Sequence, residues 1–267
     1  AYACYALKCA IDPNAPNNDG SFRPIKIIAP EGTIVNPRRP APVWGRHLTG
    51  HYVPPAIYGA LAKVIPHNII AESGSPLWNI YFKGRQEISD KPFVKMFFMN
   101  GGHGARSKSD GPGCLSFPSN VSNQSIEQFE NQAPLLVHEK SFVKDTQGVG
   151  QYVGGPAQRI SFESTSSKTI TMTIRHERVK YPPRGIKGGG DGSKGIDLVN
   201  NKKIPAKISY PLNFGDIATF QTPGGGGMFS PTKRETKKVV NDIECQLLSS
   251  QKAKLIYKNQ IKGKKNV

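Results

Sequence analysis

Residues 100–113 read NGGHGARSKSDGPG and hold the densest set of groups suited to chemistry in this 267-residue chain. His103 titrates near neutral pH and is suited to act as acid, base or ligand, while Gly101, Gly102 and Gly104 let backbone come close to a bound molecule. A tight turn around an exposed histidine accounts for the same residues. Asp110 and Asn120 flank this loop and are suited to orient a polar substrate or a partner chain's residues, although Asp-Gly and Ser-Asn are also ordinary turn formers. Arg23, just before Pro24, offers a planar fork for a carboxylate or phosphate, with a structural ion pair as the competing use.

Two further patterns carry less chemistry. His47 and His51 have the spacing that puts two imidazoles on one helix face, but Gly50 and the prolines just beyond interrupt a regular helix, so no metal site is expected in this chain. The run Gly224–Gly227 lacks the lysine and Ser/Thr of a phosphate-binding loop. Gly224, Gly225 and their neighbours are instead expected to let backbone cross a crowded site or interface. No G-x-S-x-G elbow, H-E-x-x-H helix or paired Cys and His is visible, so a free-standing hydrolase has no evident nucleophile. Cys4, Cys9, Cys114 and Cys245 are scattered without a CxxC pair and read as reduced thiols.

The elements that must position these residues follow from punctuation and periodicity. Gly 28 and Pro 22 make turns frequent, and the formal charge of +17 is spread along the chain, densest near its end. Basic residues are not interleaved with aromatics on one face, so the charge reads as a solvated or docking surface, with no nucleic-acid partner expected. No apolar run reaches the ~18–20 residues of a membrane helix, and the expectation is a cytoplasmic protein that does not engage a membrane. Ala1 opens an apolar helical stretch without Met and reads as cut from a longer element, or as completed by a partner chain.

The fold class expected is α+β, with a mixed α/β first half, a β-rich sandwich or barrel-like second half and a short helical tail. Boundaries are placed at residues 1–145, 146–228 and 229–267. A short strand is expected at residues 24–29, and a helix near residues 51–65 whose buried face is Ala56, Ile57, Ala60, Leu61 and Val64, started by Pro54 and Pro55 and stopped by Pro66. LWNIYFKG and FVKMFFM read as paired strands, and residues 125–131 as a short helix. From residue 150 to 227 alternation such as Ile170, Met172, Ile174 marks further strands. In the tail, Val239, Val240, Ile243, Leu247 and Leu248 form one stripe, and Ser249 and Ser250 can cap a last helix.

Taken together, PNNDGSFRPIKIIAPEGTIVNPRRPAPV, WGRHLTGH, NGGHGARSKSDGPGCLSFPSNVSNQSIEQFE, KYPPRGIKGGGDG and FGDIATFQTPGGGGMFSP resemble the hydantoinase B/oxoprolinase family in content and order. The resemblance covers nearly all of the chain but about the C-terminal half of a typical member. It implies part of an ATP-dependent cyclic-amide or lactam hydrolase of the hydantoinase/5-oxoprolinase type, or the equivalent piece of an acetone- or acetophenone-type carboxylase. A non-catalytic assembly subunit is a further alternative. It also implies a heteromeric complex with a B-type N-terminal half and an A-type, ATP-binding subunit that phosphorylates the substrate. No cofactor is then expected in this chain, ATP with Mg²⁺ and a divalent metal belonging to the partner chains. One departure stands out: in the family's acidic, glycine-rich turn, here residues 145–155, the arginine expected before Gly154 is Val153.

Overall fold

The computed structural model describes residues 1–258. Two antiparallel sheets are built from strands that alternate apolar and polar residues, the pattern of a sheet with one buried face. The first sheet joins β1 (Trp78–Arg85), β2 (Pro92–Met99), β5 (Ile170–Arg175) and β8 (Lys207–Leu212) in the order β2-β1-β5-β8. The second joins β3 (Leu135–Val143), β4 (Ala157–Ser164), β6 (Ile196–Val199), β7 (Lys202–Lys203) and β9 (Ile217–Gln221) in the order β3-β4-β9-β6-β7. The hairpin expected from LWNIYFKG and FVKMFFM is present, with Trp78 opposite Met99. The boundary read at residue 145 falls between β3 and β4, which are neighbours in one sheet, so the strands before and after it share one core.

That core lies between the sheets. Ile80 and Phe82 of β1 face Ile174 and Met172 of β5 in register, and all four are buried. Phe82 and Phe97 from the first sheet meet Phe162 of the second with ring centroids 5.3 and 5.1 Å apart. Phe129, from the short helix α5 (Ile126–Glu130), closes the cluster at 5.0 Å from Phe97. Ser125 caps α5 by accepting from Gln128 N at 3.2 Å. One polar pair is enclosed with the aromatics: His176 stacks on Trp78 at 3.9 Å, and its Nδ1 lies 2.6 Å from Asp197 Oδ1.

Helix α1 (Tyr2–Ile11) packs on α4 (Val53–Leu61), with the short α3 (Arg46–Gly50) leading into α4. Prolines start α4 as expected, but its buried face is rotated from the expected one. Tyr58 is enclosed with Ile57, Leu61, Ala62 and Ile65 against Ala6 and Ala10, while Ala56, Ala60 and Val64 face outward. The physical reason is size: one large ring buried at Tyr58 outweighs the small alanines that drew the apolar count to the other face. The strand expected at residues 24–29 does not form. Beyond α2 (Asp19–Phe22), Ile27 and Ile28 are exposed, and the nearest pairing is an isolated bridge from Thr33 to Asn36, since no sheet edge lies alongside to complete a ladder.

The tail forms α6 (Thr236–Glu244) and α7 (Ser250–Ile256). Val239, Leu248, Ala253 and Tyr257 are buried together, Ile243 packs against them, and Ser249 Oγ accepts from Lys252 N at 3.1 Å as the cap of α7. Arg234 anchors the tail: it is 2% exposed and reaches Asp110 at 2.8 Å and Asp242 at 2.7 Å. Lys262, Lys264 and Lys265, part of the basic density near the end, lie outside the described residues.

Between the sandwich and the tail, six segments with neither helix nor strand cross one another, spanning 71–76, 100–106, 110–113, 147–156, 183–192 and 222–228. Their backbones bond directly: Gly74 N to Gly102 O at 2.7 Å, Gly102 N to Pro223 O at 2.9 Å, Gly225 N to Gly155 O at 2.9 Å, and Gly155 N to His103 O at 2.7 Å. A Cβ on Gly102 would stand 1.9 Å from Gly155 O, and one on Gly225 would stand 2.1 Å from His103 O. Neither glycine has a positive φ, so space rather than backbone conformation demands it.

Gly225→Ala should therefore destabilise the fold by about 3 kcal/mol, because a methyl must displace the His103 carbonyl that accepts from Gly155 N. Gly59→Ala, in α4 with nothing within 4 Å of the new methyl, should stabilise by roughly 0.5–1 kcal/mol. Urea unfolding of the two variants checks the pair; equal midpoints would overturn the steric account.

Candidate functional site

Several residues singled out from the sequence meet in this glycine-rich bundle, where each already has a protein partner. His103 is buried, and its Nδ1 donates to Gly104 O at 2.7 Å, which sets the tautomer; Phe117 lies edge-on at 5.3 Å. Burial holds its pKa below the ordinary histidine value, against the opposing pull of that hydrogen bond. Gly101 and Gly102 approach neighbouring backbone: a Cβ on Gly101 would stand 2.6 Å from Gly74 O. Gly224 N donates to Ser193 Oγ, Gly225 N to Gly155 O, Gly226 N to Glu72 O and Gly227 N to Gly190 O. All four amides of the run are thus engaged, and none is free to cradle a phosphate.

Asp110 accepts from Val153 N at 2.8 Å as well as from Arg234. Val153, where the resemblance leads one to expect arginine, is thus fixed by its backbone, and its side chain is buried. Arg23 and Asn120 stand apart from the bundle. Arg23 pairs with Asp19 at 3.0 Å on an exposed turn, and Asn120 holds a left-handed turn (φ 55°) with its N bonded to Ser116 O.

Two cavities flank residues 47–56; the first exposes polar groups that the sequence did not signal, and the second holds His47 and His51, which it did. One, of about 500 Å³, is lined by Tyr52, Pro55, Glu72, Arg178, Arg184 and Asp191, with Tyr181 at its rim. Glu72 sits at the base, 8% exposed, and accepts from Arg178 Nη1 at 2.7 Å and from Arg184 N and Nε at 3.1 and 2.8 Å. Burial works to raise its pKa, but the Arg178 charge and the hydrogen bonds from both arginines outweigh it and hold the carboxyl below its ordinary range. Arg178 lies over the Tyr52 ring at 5.0 Å and takes a positive φ of 63°. Burial pushes the Tyr52 hydroxyl up to about 12, so it stays a neutral donor. Signals for this site were sparse: Arg184 lies in KYPPRGIKGGGDG, whereas Glu72 and Arg178 are isolated residues 106 positions apart.

The second cavity, of about 480 Å³, lies between α3 and the first sheet and is lined by Tyr2, His47, His51, Asn79, Tyr81 and Phe98, among others. The two imidazoles do come near each other, centroids 6.1 Å apart, with His47 Nε2 3.4 Å from Asn79 Nδ2. Burial, then the neighbouring His47, push His51 down to about 4. Among the described residues no group of three or more His, Cys, Asp or Glu is placed to hold a metal ion, and no helix is long and apolar enough to cross a membrane.

A β-sandwich fused to a backbone-packed glycine bundle is a fold that known proteins share. The ATP-dependent caprolactamase from Pseudomonas jessenii has the same fold over 98% of this chain and 48% of that one, at a TM-score of 0.83 and 22% identity. The family model for hydantoinase B/oxoprolinase matches residues 1–231, and the chain belongs to that family. The B component ascribed to a D-/L-hydantoinase of a Pseudomonas species is 31% identical over 91% of this chain and 42% of its own length. An uncharacterized protein of Methanocaldococcus jannaschii is 35% identical over 98% of the chain and 46% of its own length. The chain thus spans less than half the length of these relatives.

Two consequences are measurable. Glu72→Gln leaves the buried Arg178 guanidinium without its counter-charge and should cost about 3–5 kcal/mol, read by denaturant unfolding at pH 7; a loss below ~1 kcal/mol would show that the arginines repair the site between themselves. His51 binds a proton near pH 6.5 when unfolded and only near 4 when folded, so the unfolded chain holds more protons in that window and stability falls as pH drops through it. His51→Leu should flatten that part of the stability–pH curve, and an unchanged slope would remove His51 as its source.

Proposed function

We propose that this chain is the C-terminal part, or a split subunit, of a B-type component in an ATP-dependent cyclic-amide or lactam hydrolase of the hydantoinase/5-oxoprolinase kind. The observation that carries the reading is the match to the hydantoinase B/oxoprolinase model along residues 1–231, supported by the likeness to the B component of a D-/L-hydantoinase. In this reading an A-type partner uses ATP and Mg²⁺ to phosphorylate the substrate, and the B-type halves complete hydrolysis. The chain contributes the rigid bundle and, through Tyr52, Arg178 and Arg184, one wall of the reaction site. A divalent metal, where the reaction uses one, sits in the partner chains. His103, Asp110 and the glycines Gly101, Gly102, Gly224 and Gly225 serve as the frame behind that wall; Arg23 offers its fork to a carboxylate or phosphate, and Asn120 orients a partner chain's residues.

The test is reconstitution. The chain is combined with a B-type N-terminal half and an A-type subunit, and ADP release is followed with hydantoin, 5-oxoproline or caprolactam. Ring opening coupled to ADP, absent when this chain is omitted and reduced at least tenfold by Arg184→Gln, is the expected result. Full ring opening without the chain would overturn the reading, and ATP turnover that needs bicarbonate and a ketone would replace it with the carboxylase one.

A further inference from the structure

The pocket beside the bundle holds more charge than its own ion pairs use. Glu72 is saturated by one edge of each arginine, taking Arg178 Nη1 and, from Arg184, the backbone N with Nε and Nη2. Arg178 also gives Nε to Ser75 O at 3.0 Å, which locks the guanidinium plane. Its Nη2, and the Nη1 of Arg184, carry no bond to any described residue. Two guanidinium edges attached to the same cavity are therefore left with donors, the arrangement that suits a carboxylate.

A second charge of opposite sign lines the same cavity. Asp191 accepts from Gly185 N through Oδ1 at 2.9 Å, while its Oδ2 has no bond to a described residue. Asp191 Oδ1 accepts from Gly185 N, the amide next to Arg184, so this carboxylate is anchored on the same short loop as that arginine. Pro55, Ala56, Tyr181 and Pro182 complete the lining with apolar surface, and Tyr52 adds its hydroxyl. Counting Glu72 and Asp191 against Arg178 and Arg184, the lining is neutral in sum, and with Glu72 taken up by both arginines the carboxylate left over is Asp191. A simple anion would meet Asp191, and a simple cation would meet the arginines.

We propose that this pocket binds a small zwitterion, an α-amino acid or a molecule with the same adjacent carboxylate and ammonium, its carboxylate on Arg178 and Arg184, its ammonium on Asp191 and its side chain against Tyr181 and Pro55. Seen with the proposed hydrolase, which it deepens, the ligand is the α-amino acid released when a ring such as that of 5-oxoproline opens, or an amino acid that reports its level. Binding itself needs neither partner chain nor ATP.

The experiment is titration calorimetry of the chain at low ionic strength with three probes that share one branched side chain: leucine, 4-methylpentanoate, which lacks the ammonium, and 3-methylbutylamine, which lacks the carboxylate. Leucine should bind at least tenfold more tightly than either. Arg184→Gln should erase its advantage over the amine, and Asp191→Asn, which keeps the Oδ1 acceptor for Gly185, its advantage over the acid. Both side chains reach solvent, so these variants are expected to fold as the parent does, checked by their unfolding midpoints. Equal binding of the three probes, no binding of any, or variants that bind leucine like the parent would overturn the proposal. Leucine binding together with failed reconstitution would sink the hydrolase reading alone, and the reverse would sink this one alone.

Discussion

The structure rests on contact between main chains. In most domains, segments are held apart by side chains that fill the space between them, and a layer spacing near ~10 Å follows for packed sheets. In the bundle, a carbonyl occupies the place where a Cβ would stand, as Gly155 O does at Gly102 and His103 O does at Gly225. Each close approach is also a hydrogen bond, so the buried amides that a loop would ordinarily leave to water are satisfied within the protein. Everything else is arranged about this crossing. The sandwich supplies strand ends that feed it, β2 into residues 100–106 and β9 into residues 222–228, and the tail closes its outer side.

Charge pins the bundle at two places. At one, Arg234 is buried between Asp110 and Asp242 and also donates to Gln151 O at 3.1 Å, so the tail, the loop after residue 100 and the 147–156 segment are tied through one guanidinium. Burial disfavours that charge, yet two carboxylates keep it. At the other, Glu72 holds two arginines from the 178–184 stretch against the 71–76 segment. Asp110 and Glu72 therefore work as buckles, a use that the reading of Asp110 as a group orienting substrate or partner residues does not anticipate.

Much of the fold was legible because its signals are local. The hairpin of β1 and β2, the alternation of Ile170, Met172 and Ile174, the Ser125 and Ser249 caps and the proline start of α4 each depend on residues a few positions apart. The strand expected at residues 24–29 failed because pairing is decided by a partner, which no local pattern reveals. The face of α4 was misjudged because counting apolar residues gives Ala60 the same weight as Tyr58. The glycines were recognised as points of close approach, but what approaches them is backbone from more than fifty residues away, as with Gly102 and Gly155. The pocket is harder still, since Glu72 and Arg178 become neighbours only once the whole chain has folded.

The bundle also shapes how the protein meets temperature. Unfolding an apolar core raises heat capacity, whereas exposing peptide groups lowers it. In the bundle, much of what is hidden from water is amide and carbonyl from residues such as Gly74, Gly102, Gly155 and Gly225, beside a small apolar cluster of Ala71, Ala105 and Met228. The amides of the bundle thus offset part of the heat capacity that the apolar sandwich contributes, which acts to flatten the stability curve. A flatter curve holds its maximum over a wider span of temperature, a property that arises here from side chains left out.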